Sequence, residues 1–290
     1  MWFELKIEHC EPNQVEELSE ALENTGALSI TLTDKNDDPV LEPEPGTTPL
    51  WPEVVIKALF NDEDEAKQSL KIMQTQFPSL TLSVDELVEQ DWERVCLDEF
   101  KPQHFGNNLW VCPSWHDVPD ENAVNLILDP GLAFGTGTHP TTSLCLQYLS
   151  DADLADKKVI DFGCGSGILA IAALKLGAKE AQAIDIDDQA LIATQDNAGR
   201  NGINLNQLKI GKADSLESPV DLLMANILLS PLISLKQNFK ALLKSEGSLV
   251  VSGLLKEQKA ELIEAYQDSF SLKLEKDLDD WSLLVFKPKS

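Results

Sequence analysis

A chain of 290 residues is too long for one ordinary domain and comfortable for two. Hydrophobic residues at 43% and charged residues at 25% exclude an intrinsically disordered chain. With 49 acidic residues against 23 lysines and arginines the net charge is −26, a surface that repels nucleic-acid phosphate and attracts a basic protein partner.

The acidity is uneven. Residues 1–100 hold 24 acidic against 6 basic residues, a net −18, and the remaining 190 hold 25 against 17, a net −8. Two units with different tasks are expected. In the first, Phe3, Leu5 and Ile7 alternate as in a strand. Pro12 opens a helix carrying Val15, Leu18 and Leu22, and Gly26 closes it. Ala27 to Leu32 reads as a second strand, followed by a loop rich in Asp, Glu and Pro. Glu53 to Phe60 is the third strand. Asp62-Glu63-Asp64-Glu65 sets negative charge at the start of a helix that runs to about Gln76. Pro78 stops it, and Leu80, Leu82 and Val84 give a fourth strand. The order βαββαβ is the split βαβ, ferredoxin-like arrangement.

A connector follows, with a helix-like start from Trp92 to Phe100 and a strand from Leu109 to Cys112. It carries Trp92, Trp110 and Trp115, for which packing between domains is the simpler role. Ala123 to Leu128 is a further strand. From about residue 140 strands and helices alternate: strand Val159–Phe162, helix Ile168–Leu176, strand Ala181–Ile186, helix Asp188–Asn201, strands Leu208–Gly211 and Val220–Ile227. Helix Pro231–Leu243, strand Ser248–Ser252 and helix Lys256–Asp268 continue the series. Two last strands, Ser271–Leu274 and Ser282–Phe286, follow each other directly. Alternation of this kind builds a parallel sheet covered on both faces, here ending in a hairpin.

The longest wholly apolar run, Ile168 to Leu174, is far short of the roughly 20 residues of a membrane-spanning helix. No signal peptide is visible at Met1-Trp2-Phe3-Glu4-Leu5-Lys6. Cys10, Cys96, Cys112, Cys145 and Cys164 have no paired spacing, so neither a disulfide framework nor a metal site is expected, and a reducing cytoplasm is the simplest compartment.

Chemistry concentrates at Asp161-Phe162-Gly163-Cys164-Gly165-Ser166-Gly167, where a strand gives way to a helix. Glycines at alternate positions let the backbone turn tightly and let a ligand approach without a Cβ in the way. Position 168 is Ile, so the G-x-G-x-x-G of pyrophosphate-binding dehydrogenases is not met. Asp185 ends the next strand, 22 residues after Gly163, where a carboxylate can accept hydrogen bonds from both hydroxyls of a ribose. Its alternative role is a helix cap, which Asp187 or Asp188 could fill instead. Asp214, after the following strand, is placed either to reach an adenine amino group or to sit in a solvated loop.

This glycine turn, carboxylate, strand order and final hairpin resemble the class I S-adenosylmethionine-dependent methyltransferases. Two segments narrow the resemblance. The run Asp129-Pro130-Gly131-Leu132-Ala133-Phe134-Gly135-Thr136-Gly137-Thr138-His139-Pro140-Thr141-Thr142 and the strand end Asn226-Ile227-Leu228 are similar to the PrmA family, which methylates large-subunit ribosomal protein L-eleven. Trp110-Val111-Cys112-Pro113-Ser114-Trp115 is similar as well, and the resemblance covers essentially the whole chain. It implies an α/β fold: a Rossmann-like seven-stranded methyltransferase domain over 119–290, preceded by a smaller ferredoxin-like α+β domain over 1–90, with a connector over 91–118. It also implies S-adenosylmethionine as methyl donor, with Thr142, Gly163, Asp185 and Asn226 in the cofactor site. Gly165 and Asp214 join them from the reading of the residues. The implied substrate is the basic ribosomal protein L-eleven, gripped by the first domain and methylated at lysine and N-terminal amines, as far as trimethylation.

The glycine-rich 131–138 segment reads as a mobile flap or an ordinary connecting loop. His139 is a candidate base, although a single His before Pro is more often structural. Asn226 is followed by Ile227-Leu228-Leu229, without the Pro-Pro and aromatic that hold exocyclic base nitrogens or glutamine amides, so those substrates are disfavoured. No catalytic base is identifiable. The competing readings are a methyltransferase of the same fold acting on another protein or a small molecule, and a non-catalytic binding module.

Overall fold

The computed structural model describes residues 1–36, 38, 40, 47–87, 100–129, 137, 139–217 and 219–289. The expected helix from Trp92 and most of the 131–138 segment lie outside these residues. Contacts divide the chain into two units, Met1–Val95 and Cys96–Ser290.

The first unit consists of β1 (Trp2–Cys10), α1 (Val15–Asn24), β2 (Ser29–Asp34), β3 (Val54–Phe60), α2 (Glu63–Gln76) and β4 (Leu82–Leu87). Its antiparallel sheet has the order β2-β3-β1-β4, the ferredoxin-like arrangement. Period-two burial places Leu5 and Ile7 inward, where they meet Val15, Leu18 and Leu22 of α1 and Ala66 and Met73 of α2. Asp62 caps α2 by accepting from the backbone N–H of Asp64 (2.9 Å) and Glu65 (3.1 Å). The second strand starts at Ser29 rather than Ala27. The N–H of Ala27 is spent on the Leu22 carbonyl, closing α1 behind Gly26, whose φ is +101°. The fourth strand likewise begins late, because the Leu80 N–H turns back to Phe77.

The second unit opens with a three-stranded sheet, β5 (Gln103–Phe105), β6 (Leu109–Cys112) and β7 (Val124–Ile127). It continues with α3 (Pro140–Asp151), β8 (Lys158–Phe162), α4 (Ile168–Lys175), β9 (Glu180–Ile184), α5 (Asp188–Arg200), β10 (Leu208–Gly211) and β11 (Val220–Asn226). Then come α6 (Leu229–Ser234), α7 (Lys236–Leu242), β12 (Leu243–Leu255), α8 (Lys259–Tyr266), β13 (Phe270–Leu278) and β14 (Trp281–Pro288). The seven-stranded sheet runs β10-β9-β8-β11-β12-β14-β13, parallel as far as β12 and closed by the antiparallel hairpin, as the sequence led us to expect. The helix expected over 231–243 is two short ones meeting at Leu235. Strand β12 begins earlier than its apolar run, because Lys244, Ser245 and Glu246 face solvent and hide it.

Both faces of this sheet are covered. Val159, Met224 and Val250 pack against α3, α4 and the β5–β7 strands, including Leu109, Val111 and Leu126. Ile160, Leu223, Leu249 and Val251 pack against Phe239, Leu262 and Tyr266 on the other side. Tyr266 is fully buried between Phe270 and Phe286, and its hydroxyl donates to the Leu232 carbonyl at 2.7 Å. Tyr266→Phe removes that bond and little volume, so a loss of about 1 kcal/mol is expected. In a unit of this size that lowers Tm by roughly 2–4 °C, measurable by calorimetry.

Candidate functional site

Strand order reverses between β8 and β11, and a crevice outside the carboxyl ends of strands forms at such a point. The chain leaves β8 through the glycine turn. Gly163, Gly165 and Gly167 have φ of +75°, +52° and +75°, left-handed values that glycine adopts without penalty. A Cβ on Gly163 would strike the Ile227 side chain, and one on Gly167 would lie 2.6 Å from Thr194 Cγ2. The fold itself therefore requires glycine at both positions, in addition to the ligand clearance inferred from sequence.

The turn is tied to the end of β9. The N–H groups of Gly163 and Cys164 donate to the Ile184 carbonyl at 2.8 and 3.0 Å. The Gly165 N–H donates to Asp185 Oδ2 at 2.9 Å, and the Asp187 N–H to Asp185 Oδ1 at 3.0 Å. Asp187 caps α5, as the sequence allowed, and leaves Asp185 to the turn. From α5, Thr194 donates to the Gly165 carbonyl (3.0 Å) and Asn197 to the Ser166 carbonyl (2.9 Å). Gly163, Gly165 and Asp185 are thus one cluster. Asp214 sits exposed beyond β10, whose Gly211 pairs with Ile184 and accepts from the Asp185 N–H.

Thr142 and Asn226 form a second cluster on the next strand. Thr142 is buried in the first turn of α3, and its Oγ1 accepts from Asn226 Nδ2 at 3.3 Å. His139 is the N-cap of α3, its Nδ1 accepting from the Thr141 N–H and lying 2.8 Å from Thr141 Oγ1. Nδ1 is thus engaged at the helix start, and burial holds the imidazole below its ordinary pKa. The His139 ring meets Trp281 edge-on, with centroids 4.8 Å apart.

Two site residues escaped the sequence reading. Asp161, noted only as the start of the glycine run, is fully buried and accepts from the Ala170 N–H at 3.0 Å. It caps α4 from inside β8, because Gly167 at the N-cap has no side chain to do so. Burial pushes its carboxyl up to about 7, opposed by the Ala170 bond and aided by the charge of Asp185. Its signal was a lone acid inside an apolar strand. Ile186, beside Asp185, is 92% exposed, an apolar side chain offered at the rim. Among the described residues there is no group of three or more metal-ligating side chains.

The family model "Ribosomal protein L11 methyltransferase (PrmA)" matches residues 1–289. The chain is 58% identical to a ribosomal protein L11 methyltransferase of Legionella pneumophila strain Lens, over 100% of both chains. It is 50% identical to one of Escherichia coli O8, over 97% of both. The crystal structure of a ribosomal protein L11 methylase from Lactobacillus delbrueckii subsp. bulgaricus shares 33% identity at a TM-score of 0.61, covering 66% of this chain and 100% of that one.

The Asp161 carboxyl makes a pH prediction. Its folded-state pKa lies above the ordinary value of 3.8, so the folded protein binds the proton more tightly than the unfolded chain. Stability is therefore lost as pH rises from about 4 to about 7 and stays lost above that. Asp161→Asn keeps an acceptor for Ala170 and removes the titration. The Tm difference, variant minus wild type, is expected to rise between pH 4 and 7 and then level; a flat difference refutes the assignment.

Proposed function

Because the chain belongs to the ribosomal protein L11 methyltransferase (PrmA) family, we propose that it transfers methyl groups from S-adenosylmethionine to lysine side-chain and N-terminal amines of ribosomal protein L11. The observation that carries the cofactor assignment is the Asp185 carboxylate held on the glycine turn. Each of its oxygens accepts one backbone N–H and retains a lone pair, and among the described residues no cation pairs with it. A ribose diol, with two O–H donors, fits that pair of acceptors. Gly163 and Gly165 present bare backbone beside it, Ile186 offers an apolar surface to the base, and Asp214 is placed for an adenine amino group. Thr142 and Asn226 serve the methionine end.

The bound sulfonium supplies an activated methyl group, so the protein has to orient an amine in line with it and exclude water. Asp185 gives the crevice a negative charge that favours a cationic ligand. The amine must be neutral to attack. A lysine with pKa near 10.4 is only about 0.1% neutral at pH 7.4, a cost of about 4 kcal/mol, whereas a terminal amine near 8 costs about 1. Desolvation in the crevice lowers either value.

Recognition of the protein substrate belongs, in this reading, to the ferredoxin-like domain over 1–90, with 91–118 as connector and 119–290 as the catalytic part. The net −18 of residues 1–100 suits a basic partner. Among the described residues no helix is long and apolar enough to cross a membrane. The cytoplasm, where ribosomal proteins are made, is the compartment that goes with this reading.

Incubation with labelled S-adenosylmethionine and a ribosomal protein mixture is expected to label L11, identified by mass spectrometry; label confined to other proteins overturns the substrate. Asp185→Ala is expected to weaken S-adenosylmethionine binding by about 1.5–3 kcal/mol. Because Asp185 also holds the turn, Asp185→Asn is the cleaner variant, and unchanged affinity by calorimetry in both removes the residue from the site. Raising salt is expected to lower kcat/KM for L11 with little change in cofactor affinity. A flat response removes the electrostatic account.

A further inference from the structure

We propose that Trp281, at the tip of the β13–β14 hairpin, is the aromatic wall of the acceptor site, against which the ammonium rests between successive transfers, before it gives up a proton and attacks as the neutral amine. The inference rests on the functional reading above and gives it an acceptor-binding residue.

Two independent paths lead to Trp281 from the site. The first runs across the sheet. Asp185 follows β9 and Asn226 ends β11, and β12 and β14 come next in that direction. At roughly 4.8 Å per strand, β14 lies about 10 Å beyond Asn226 and about 19 Å from β9, on the side away from the ribose carboxylate. Asn226 pairs with Ser252, and Trp281 pairs with Leu255, three residues further along β12. The indole is therefore at the carboxyl edge, where the crevice opens. The second path runs through α3. The Trp281 ring touches His139, one helical turn before Thr142, and Thr142 holds the Asn226 amide.

The surroundings of the ring suit an ammonium. Trp281 is only partly buried. Asp279 and Asp280 precede it in the hairpin turn, both exposed and, among the described residues, in no ion pair, so the tip carries negative charge that attracts a lysine. His139 on its other side is kept neutral by burial and its cap bond, and places no like charge there.

The chemistry explains why a ring is needed. In each transfer an N–C bond forms from the amine lone pair as the S–C bond breaks, and that electron pair stays on sulfur. The ammonium then releases a proton to solvent before the next round. Every added methyl removes an N–H donor, so hydrogen-bond acceptors progressively lose their hold on the nitrogen. An indole face attracts the positive charge whether or not an N–H remains.

The test uses the full-length protein with L11 and compares Trp281→Leu and Trp281→Phe with the wild type. Product states are read by intact mass, kcat and KM for L11 by label incorporation, and S-adenosylmethionine affinity by calorimetry. Trp281→Leu is expected to lower kcat/KM about tenfold and to accumulate mono- and dimethylated product, with cofactor affinity within twofold of wild type. Trp281→Phe retains an aromatic face and is expected to recover most of that loss. If Trp281→Leu does not fold, Trp281→Phe alone decides: a weaker cation–π face must shift the product distribution toward fewer methyl groups. Wild-type kinetics and product states in the variants overturn the wall while leaving the L11 reading intact. A wild-type protein that leaves L11 unmodified defeats that reading first, and the wall with it.

Discussion

The candidate site depends on one carboxylate at a strand end. Three left-handed glycines at alternate positions between β8 and α4 turn the chain tightly, and the N–H of the middle one, Gly165, turns to a side chain. Asp185 satisfies the Gly165 N–H from the neighbouring strand and, through Asp187, fixes the chain as it leaves β9. The turn and the carboxylate are thus a single hydrogen-bonded object. Each is held in place by the other.

Asp161 completes that object from below. Glycine at the N-cap of α4 is required by the close approach of Thr194, so the helix loses its ordinary capping side chain. A buried acid on β8 supplies the acceptor, at the cost of placing a second carboxyl near Asp185. Such a pair is unfavourable in an empty crevice and becomes favourable when a cation sits between the carboxyls and solvent. The polar half of the site, Thr142 and Asn226, carries no charge of its own and is suited to orientation rather than attraction.

Much of this was legible in the chain. The glycine turn, Asp185 and the strand order follow from periodicity and spacing, because alternating buried strands and helices leave few ways to connect a parallel sheet. The ferredoxin-like order of the first unit was legible for the same reason, with boundaries displaced where chain closure used up residues, as at Ala27 and Leu80. His139 could not be resolved from sequence. Its cap contact depends on where Nδ1 meets the Thr141 N–H, a relation fixed only when α3 is formed.

The sequence by itself determined the fold and the family resemblance and marked the candidate site, since each rests on a local signal: a strand that ends in glycines, an acid one strand later, and an amide, Asn226, that the resemblance picks out at the end of another. Tertiary structure decided which groups share a bond and which share only a region. Asp161 became a cap only when α4 folded back over β8. Thr142 met Asn226 across 84 positions of chain, and Trp281 reached His139 only after the final hairpin had been laid against β12. Contacts between residues so far apart depend on sheet order and register, and no run of neighbouring residues encodes those.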